Sequence, residues 1–196
     1  MVGSRSKARS IHFTTAVAAA MVLQACAWQR IPTAPSFTPV APLPITVGVE
    51  LSSSPGSRTY GPPVVDLLSQ MSVVDKLVYP YREDDKVDAV LGIDIDGSWK
   101  GSGFGAGFAI GLTFGLLSPF IGPSITGTHD LKATLTDDKE LVASHSARIK
   151  TKVTWGIAGN SNEVSAKADD LQTRKIAVEI AEWLQADRNA ILKKLQ

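Results

Sequence analysis

Alternating hydrophobic and polar residues predict five β-strands along the chain. In a strand every second side chain faces the same side of the sheet, so apolar residues collect on one face. The segments with this pattern are residues 45–51, 76–81, 87–95, 126–136 and 141–155. The last segment places on one face Leu141, Ala143, His145, Ala147, Ile149, Val153 and Trp155. Its other face is serine, threonine, arginine and lysine, so one side of the sheet is expected to meet solvent or a partner.

Apolar residues at helical spacing predict two helices. The first is expected to open at Pro62 and Pro63, after a loop rich in serine, proline and glycine, because proline is favoured in the first turn of a helix. The second is expected from about Ala168 onward, with an apolar stripe formed by Ala177, Ile180, Ala181, Leu184, Ile191 and Leu195.

The order of these elements predicts an α+β fold. It runs strand, helix, strand, strand, apolar insertion, strand, strand, helix, which favours a mostly antiparallel sheet with two helices on one face. We expect a single domain over residues 45–196, with a glycine-rich apolar insertion at residues 101–123.

The first 25 residues have the three parts of a secretory signal peptide. Arg5, Lys7 and Arg9 form a positive start without any acidic residue, and residues 13–23 are uncharged and mostly apolar. This stretch is too short for a membrane-spanning helix, which needs about 20 residues. The small Ala25 precedes Cys26, so we expect cleavage between these two residues.

Residues 23–26, with the sequence LQAC, resemble a bacterial lipobox, and Cys26 is the only cysteine in the chain. The resemblance implies that the Cys26 thiol receives a diacylglyceryl group and that its new amine is acylated, typically with palmitate. More than one acyl chain makes membrane anchoring stable. Ala27 stands where aspartate would resemble an inner-membrane retention signal, which favours an outer-membrane anchor facing the periplasm.

A proline-rich tether is predicted between the lipid and the domain, at residues 26–44. Five prolines within thirteen residues favour an extended, semi-rigid spacer; they are Pro32, Pro35, Pro39, Pro42 and Pro44. Together with this amino terminus, the order of elements over about residues 45–185 resembles the anticodon-binding-like fold of the TolB amino-terminal domain. Periplasmic lipoproteins of curli secretion and Pel exopolysaccharide export share that fold, as does an activator of penicillin-binding proteins. The resemblance implies a fold and assigns no function.

The glycine-rich insertion carries no charged residue from Gly101 to Thr128. Glycines four apart, Gly107, Gly111 and Gly115, would line one helix face and allow a second helix to approach closely, while Phe108 and Leu112 add apolar bulk. Three interpretations stay open: a membrane-associated segment, a protein–protein or ring-forming surface, and a crossover that covers the domain's own core. Loops of this length are usually functional or disordered, so an association role is favoured for a segment this rich in aromatic residues.

Charge argues against a nucleic-acid partner. Without the three basic residues of the signal peptide, 17 of the 20 lysines and arginines remain against 19 aspartates and glutamates. A mature chain that is slightly acidic lacks the basic face that nucleic-acid binding requires.

The sequence supports no enzyme and predicts no cofactor or metal. Asp94 and Asp96 are expected at a solvated strand end, and His145 as a half-buried residue with a partner. The predicted function is a non-catalytic accessory or assembly component of an envelope, secretion or polymer-export system, which binds a protein partner or forms a homo-oligomer. The alternative is a periplasmic enzyme or metal-binding domain, which would need Asp94, Asp96 and His145 gathered in one pocket.

Overall fold

The structure, a computed structural model, describes residues 29–38, 41–101, 123–156 and 161–196. Its strands are β1 (Gln29–Arg30), β2 (Leu43–Leu51), β3 (Val74–Val78), β4 (Ala89–Gly101), β5 (Ser124–Asp137) and β6 (Glu140–Trp155). Its helices are α1 (Pro55–Met71), α2 (Ser161–Ala186) and α3 (Arg188–Lys194). The strands form a mixed sheet in the order β1-β6-β5-β4-β2-β3, mostly antiparallel, which confirms the predicted α+β class.

The sheet combines parallel and antiparallel neighbours. β2 pairs in parallel with both β3 and β4, and α1 supplies the crossover that a parallel pair needs. A two-residue turn, Asp138 and Lys139, joins β5 to β6, with φ angles of 43° and 73°. Positive φ at both positions is the type I′ geometry that matches the twist of an antiparallel hairpin.

The chain groups into two compact units. The larger unit, residues 32–100, 126–151 and 168–196, contains the core. Alternate residues of three strands form one side of this core: Val47, Val49, Leu91, Ile93, Ile95, Leu131, Ala133 and Leu135. The helices contribute Val64, Leu68, Ile176, Ile180 and Leu184, among others. Each such Leu or Ile side chain contributes about 1.5–3 kcal/mol by leaving water, so this cluster supplies much of the driving force for folding. The smaller unit consists, in its described residues, of 29–31, 101, 123–125, 152–156 and 161–167.

The first helix begins at Pro55, so the prediction that it opens at Pro62 and Pro63 was wrong. Both prolines lie inside α1. Ser54 caps the helix by accepting a hydrogen bond from the backbone N–H of Ser57 at 3.3 Å, and Pro55 occupies the favoured first position. The start looked like a loop because the same serines, proline and glycine that make a cap also make turns.

The buried residues of β6 are even-numbered at its start and odd-numbered further along. Val142 is 5% exposed and Leu141 57% exposed, whereas further along the odd-numbered Ile149, Thr151 and Val153 are buried. The prediction that Leu141 faces inward was therefore wrong. From Ala143 to Val153 the odd-numbered residues are the less exposed ones, as predicted, so the departure is confined to Leu141 and Val142 at the start of the strand.

The carboxyl end contains two helices instead of one. α2 begins at Ser161, earlier than the predicted Ala168, and ends at Ala186. Asp187 separates it from α3 and accepts a hydrogen bond from the indole N–H of Trp183 at 2.9 Å. Three helices therefore stand where the sequence predicted two.

The remaining strand bounds differ from prediction by a few residues. β2 and β3 start two residues early, β3 ends at Val78, and β4 runs on to Gly101. None of the helices in the described residues is long and apolar enough to cross a bilayer.

Candidate functional site

The residues that sequence reasoning assigned to association lie outside the described residues. They are the cleavage and lipidation pair Ala25 and Cys26, and the insertion residues Gly107, Phe108, Gly111, Leu112 and Gly115. The structure does describe the chain on both sides of the insertion and from Gln29 onward after Cys26.

The chain that follows Cys26 is held at the end of β6. Gln29 pairs with Trp155 and Arg30 with Thr154 in the antiparallel β1–β6 ladder. Cys26 precedes Gln29 by three residues, and an extended chain spans at most about 3.6 Å per residue.

The two flanks of the apolar insertion meet at the same place. The backbone N–H of Trp155 donates to the carbonyl oxygen of Pro123 at 3.1 Å. Gly101, the last residue of β4, lies beside Ile125, since a β-carbon on Gly101 would sit 3.9 Å from Ile125 Cγ2. The insertion thus leaves and rejoins the sheet at one point, next to the residue that pairs with Gln29.

This end of the smaller unit carries more basic than acidic side chains among its described residues. Arg30 and Lys152 are exposed. Lys167 Nζ lies 2.5 Å from the Glu163 carboxylate and 3.4 Å from Gln29 Oε1. Three cations against one carboxylate make the surface positive.

The proline-rich segment is less free than a spacer would be. Among its described residues, Gln29 and Arg30 form β1, Leu43 begins β2, and Phe37 packs against the core of the larger unit. The Arg188 guanidinium donates to the carbonyl oxygen of Ala41. In the larger unit this segment is therefore held against the protein.

A second cluster, in the larger unit, joins one residue from each of four elements. The Trp99 indole N–H donates to the Tyr60 hydroxyl at 2.7 Å, and that hydroxyl donates to Asp169 Oδ1 at 2.8 Å. His129 packs edge-to-face on Tyr60 and Trp99, with ring centroids 4.9 and 5.9 Å apart. We call these four residues the aromatic cluster; it connects α1, β4, β5 and α2.

Two glycines make room for the aromatic cluster. A β-carbon on Gly97 would lie 2.3 Å from the carbonyl oxygen of Thr128, and one on Gly127 would lie 2.8 Å from the Trp99 ring. Neither distance leaves space for a methyl group. Periodicity alone gave no signal for the cluster, because its members are far apart in the sequence.

Burial favours the neutral forms of Tyr60 and His129. It raises the pKa of Tyr60 to about 12, and the Asp169 carboxylate adds to the shift. Burial also lowers the pKa of His129, against the opposing pull of the Asp169, Asp130 and Asp96 carboxylates. His129 is 2% exposed, and its Nδ1 has no hydrogen-bond partner in the described part of the chain. A neutral phenol that donates to a carboxylate holds elements together and is a poor base or nucleophile.

Three serines bind the start of α1 to β4. The hydroxyl oxygens of Ser52, Ser54 and Ser57 lie 2.9 Å from one another, and Ser52 also donates to the Asp94 carboxylate. The Ser57 hydroxyl accepts the backbone N–H of Ile95 at 2.7 Å. The hydrogen bond from Ser52 is the main cause that lowers the pKa of Asp94. Asp94 is thus a structural anchor in the middle of β4, and the prediction that Asp94 and Asp96 lie at a strand end was wrong, because β4 continues to Gly101.

The residues of the alternative enzyme hypothesis are not brought together. Asp94 and Asp96 line an open depression of 570 Å³, in which Asp130, Lys132 and Arg148 also lie. His145 points toward α2, where its Nε2 lies 2.9 Å from Glu179 Oε1 and its ring stacks on Trp183 with centroids 5.6 Å apart. His145 is therefore half-buried and partnered, as predicted. In residues 29–38, 41–101, 123–156 and 161–196, no group of three or more His, Cys, Asp or Glu residues could hold a metal ion.

Comparison with known proteins finds no matching family model and no matching curated protein. Among solved structures, the chain is similar to a minor lipoprotein of Acinetobacter baumannii, with 11% identity, a TM-score of 0.46, and coverage of 73% of this chain and 94% of that one. It is also similar to rare lipoprotein B of Shewanella oneidensis, with 9% identity, a TM-score of 0.38, and coverage of 76% of this chain and 98% of that one. A third similar structure is a PelC dodecamer of Paraburkholderia phytofirmans, with 14% identity, a TM-score of 0.33, and coverage of 77% of this chain and 94% of that one. The first two of these structures are lipoproteins by name, and at these identities and TM-scores none of the three transfers a function to this chain.

Proposed function

We propose that this protein is a lipoprotein anchored through Cys26 in the outer membrane and facing the periplasm. In this proposal it is a non-catalytic accessory or assembly component of an envelope, secretion or polymer-export system. The signal peptide and the lipobox motivate the anchor. The separation of His145 from Asp94 and Asp96, and the neutral Tyr60, support a binding role over an enzymatic one.

The observation that carries the proposal is the position of Trp155. This one residue pairs with Gln29, three residues from the lipidation site, and bonds to Pro123, where the apolar insertion rejoins the sheet. A lipid on Cys26 would enter the bilayer near this point. An uncharged, aromatic-rich segment that starts and ends there would meet the same bilayer, so we propose that residues 101–123 rest on or in the membrane.

Metabolic palmitate labelling tests the anchor. We expect label on the wild-type protein and none on Cys26→Ala, because the thiol is the acceptor of the first acyl group. Ala27→Ser, which keeps the lipobox cysteine, is the matched control and should stay labelled. Labelling of Cys26→Ala at the wild-type level would overturn the lipoprotein proposal.

A further inference from the structure

We propose that the surface formed by Arg30, Lys152, Trp155 and Lys167 docks on anionic phospholipid headgroups and fixes the orientation of the protein on the membrane. This inference rests on the proposed function and extends it, because it names the surface that meets the bilayer and the lipid chemistry that it meets. We call these four residues the basic end.

The short connection to the lipid motivates this surface. A lipoprotein with a long free tether can turn in any direction above its membrane. Here β1 begins only three residues after Cys26, and its pairing with Trp155 and Thr154 holds the chain at the basic end. A lipid within about 11 Å of Gln29 keeps this end close to the headgroups, whichever way the rest of the protein faces.

Charge supports the same orientation. The basic end has three cations against the single carboxylate of Glu163. The opposite end of β6 begins at a turn with three carboxylates, on Asp137, Asp138 and Glu140, against the one cation of Lys139. Anionic lipids attract lysine and arginine and repel carboxylates, so the end near the lipid is the end that they attract.

The aromatic residue at the basic end suits the interface. Trp155 is partly exposed at the last position of β6. Indole rings are favoured at the level of the headgroups, where their apolar body and their N–H are both accommodated. Trp155 shares its sheet face with Gln29, which contacts Lys167, while Arg30 and Lys152 project from the other face at the same end of β6.

Binding of the unlipidated full-length mature chain to vesicles tests the electrostatic part. With Cys26→Ala, we expect binding to vesicles of phosphatidylcholine and phosphatidylglycerol that weakens with added salt. Lys152→Glu should reduce it by about tenfold or more, since each cation near such a surface contributes about fivefold and the substitution also adds a repulsive charge. Lys139→Glu changes the same charge at the far end of β6 and should bind within about twofold of the parent. Equal loss in the two variants would overturn the proposal.

A measurement of orientation distinguishes the docking surface from the lipid anchor on Cys26. Because Cys26 is the only cysteine, Lys152→Cys or Lys139→Cys adds the single labelling site of the lipidated protein. In reconstituted membranes, a headgroup quencher should quench a fluorophore at position 152 strongly and one at position 139 little. Equal quenching at both positions overturns the docking surface, while palmitate labelling of Cys26 can still succeed. Loss of labelling with retained Lys152-dependent vesicle binding would overturn the lipid anchor instead.

Discussion

The indole N–H of Trp99 on β4 donates to the hydroxyl of Tyr60 on α1 at 2.7 Å. The same hydroxyl donates to Asp169 on α2 at 2.8 Å, so one phenol oxygen joins β4 to α1 and α2. This hydroxyl both donates and accepts a hydrogen bond. Removing it costs more stability than the two bonds contribute, because a donor and an acceptor are then left without a partner.

Tyr60→Phe is expected to destabilise the fold by about 1–3 kcal/mol, because it leaves the Trp99 N–H and the Asp169 carboxylate without their partner. Denaturant unfolding measures this loss. Tyr79→Phe makes the same change on an exposed side chain, and should stay within about 0.5 kcal/mol of the wild type. Similar losses in the two variants would show that the Tyr60 hydroxyl has no special role.

Acidification should destabilise the fold through His129. Its pKa is lowered in the folded state, so below the ordinary value of 6.5 the unfolded chain binds a proton that the folded chain resists. Stability is therefore full above that pH and falls as the pH decreases toward the folded-state pKa. Unfolding experiments between pH 7 and pH 5 should show a smaller slope for His129→Phe than for the wild type; identical slopes would contradict the assignment.

Gly97→Ala should cost about 1–3 kcal/mol, since its new methyl group would lie 2.3 Å from the backbone oxygen of Thr128 and force β4 and β5 to move. Gly101→Ala, on the same strand, would place its methyl group 3.9 Å from Ile125 and should be tolerated. Thermal unfolding of both variants measures the difference. A stable Gly97→Ala protein would mean that the two strands are further apart.

Two neighbouring residues test which side chain is buried at the start of β6. Val142→Ala should destabilise the fold by about 1–3 kcal/mol because it leaves a cavity, while Leu141→Ala should cost about 0.5 kcal/mol or less at its exposed position. Chemical unfolding of the pair provides the measurement. The reverse ranking would restore the regular alternation that the sequence suggested.

The apolar insertion should respond differently to two kinds of change. If it rests in lipid, Phe108→Asp with Leu112→Asp weakens liposome flotation of the mature Cys26→Ala chain, and Gly111→Leu is tolerated. If it packs helix on helix between copies, Gly111→Leu disrupts assembly in sedimentation instead. If the chain without these substitutions is a monodisperse monomer that does not bind liposomes, the remaining interpretation is a crossover that covers the domain's own core.

Local periodicity predicted much of the sheet, because apolar and polar residues alternate along a strand that has one buried and one exposed face. The strand cores around Val47, Leu91, Leu131 and Ile149 are all buried, as their alternation indicated. The start of α1 was missed because Ser54 and Pro55 make caps and turns equally well. The exposure of Leu141 was missed because this residue lies at the very start of β6, before the regular alternation that holds from Ala143 onward.

The sequence by itself determined most of the strand pattern and the α+β class, and it predicts the amino-terminal signals, since each depends on residues close together in the chain. Only the tertiary structure decided that Gln29 pairs with Trp155, that β2 lies parallel to β3 and β4, and that Tyr60, Trp99, His129 and Asp169 meet. These contacts join residues from 30 to 126 positions apart, and their free energy depends on which surfaces the fold buries together. No local pattern records that choice.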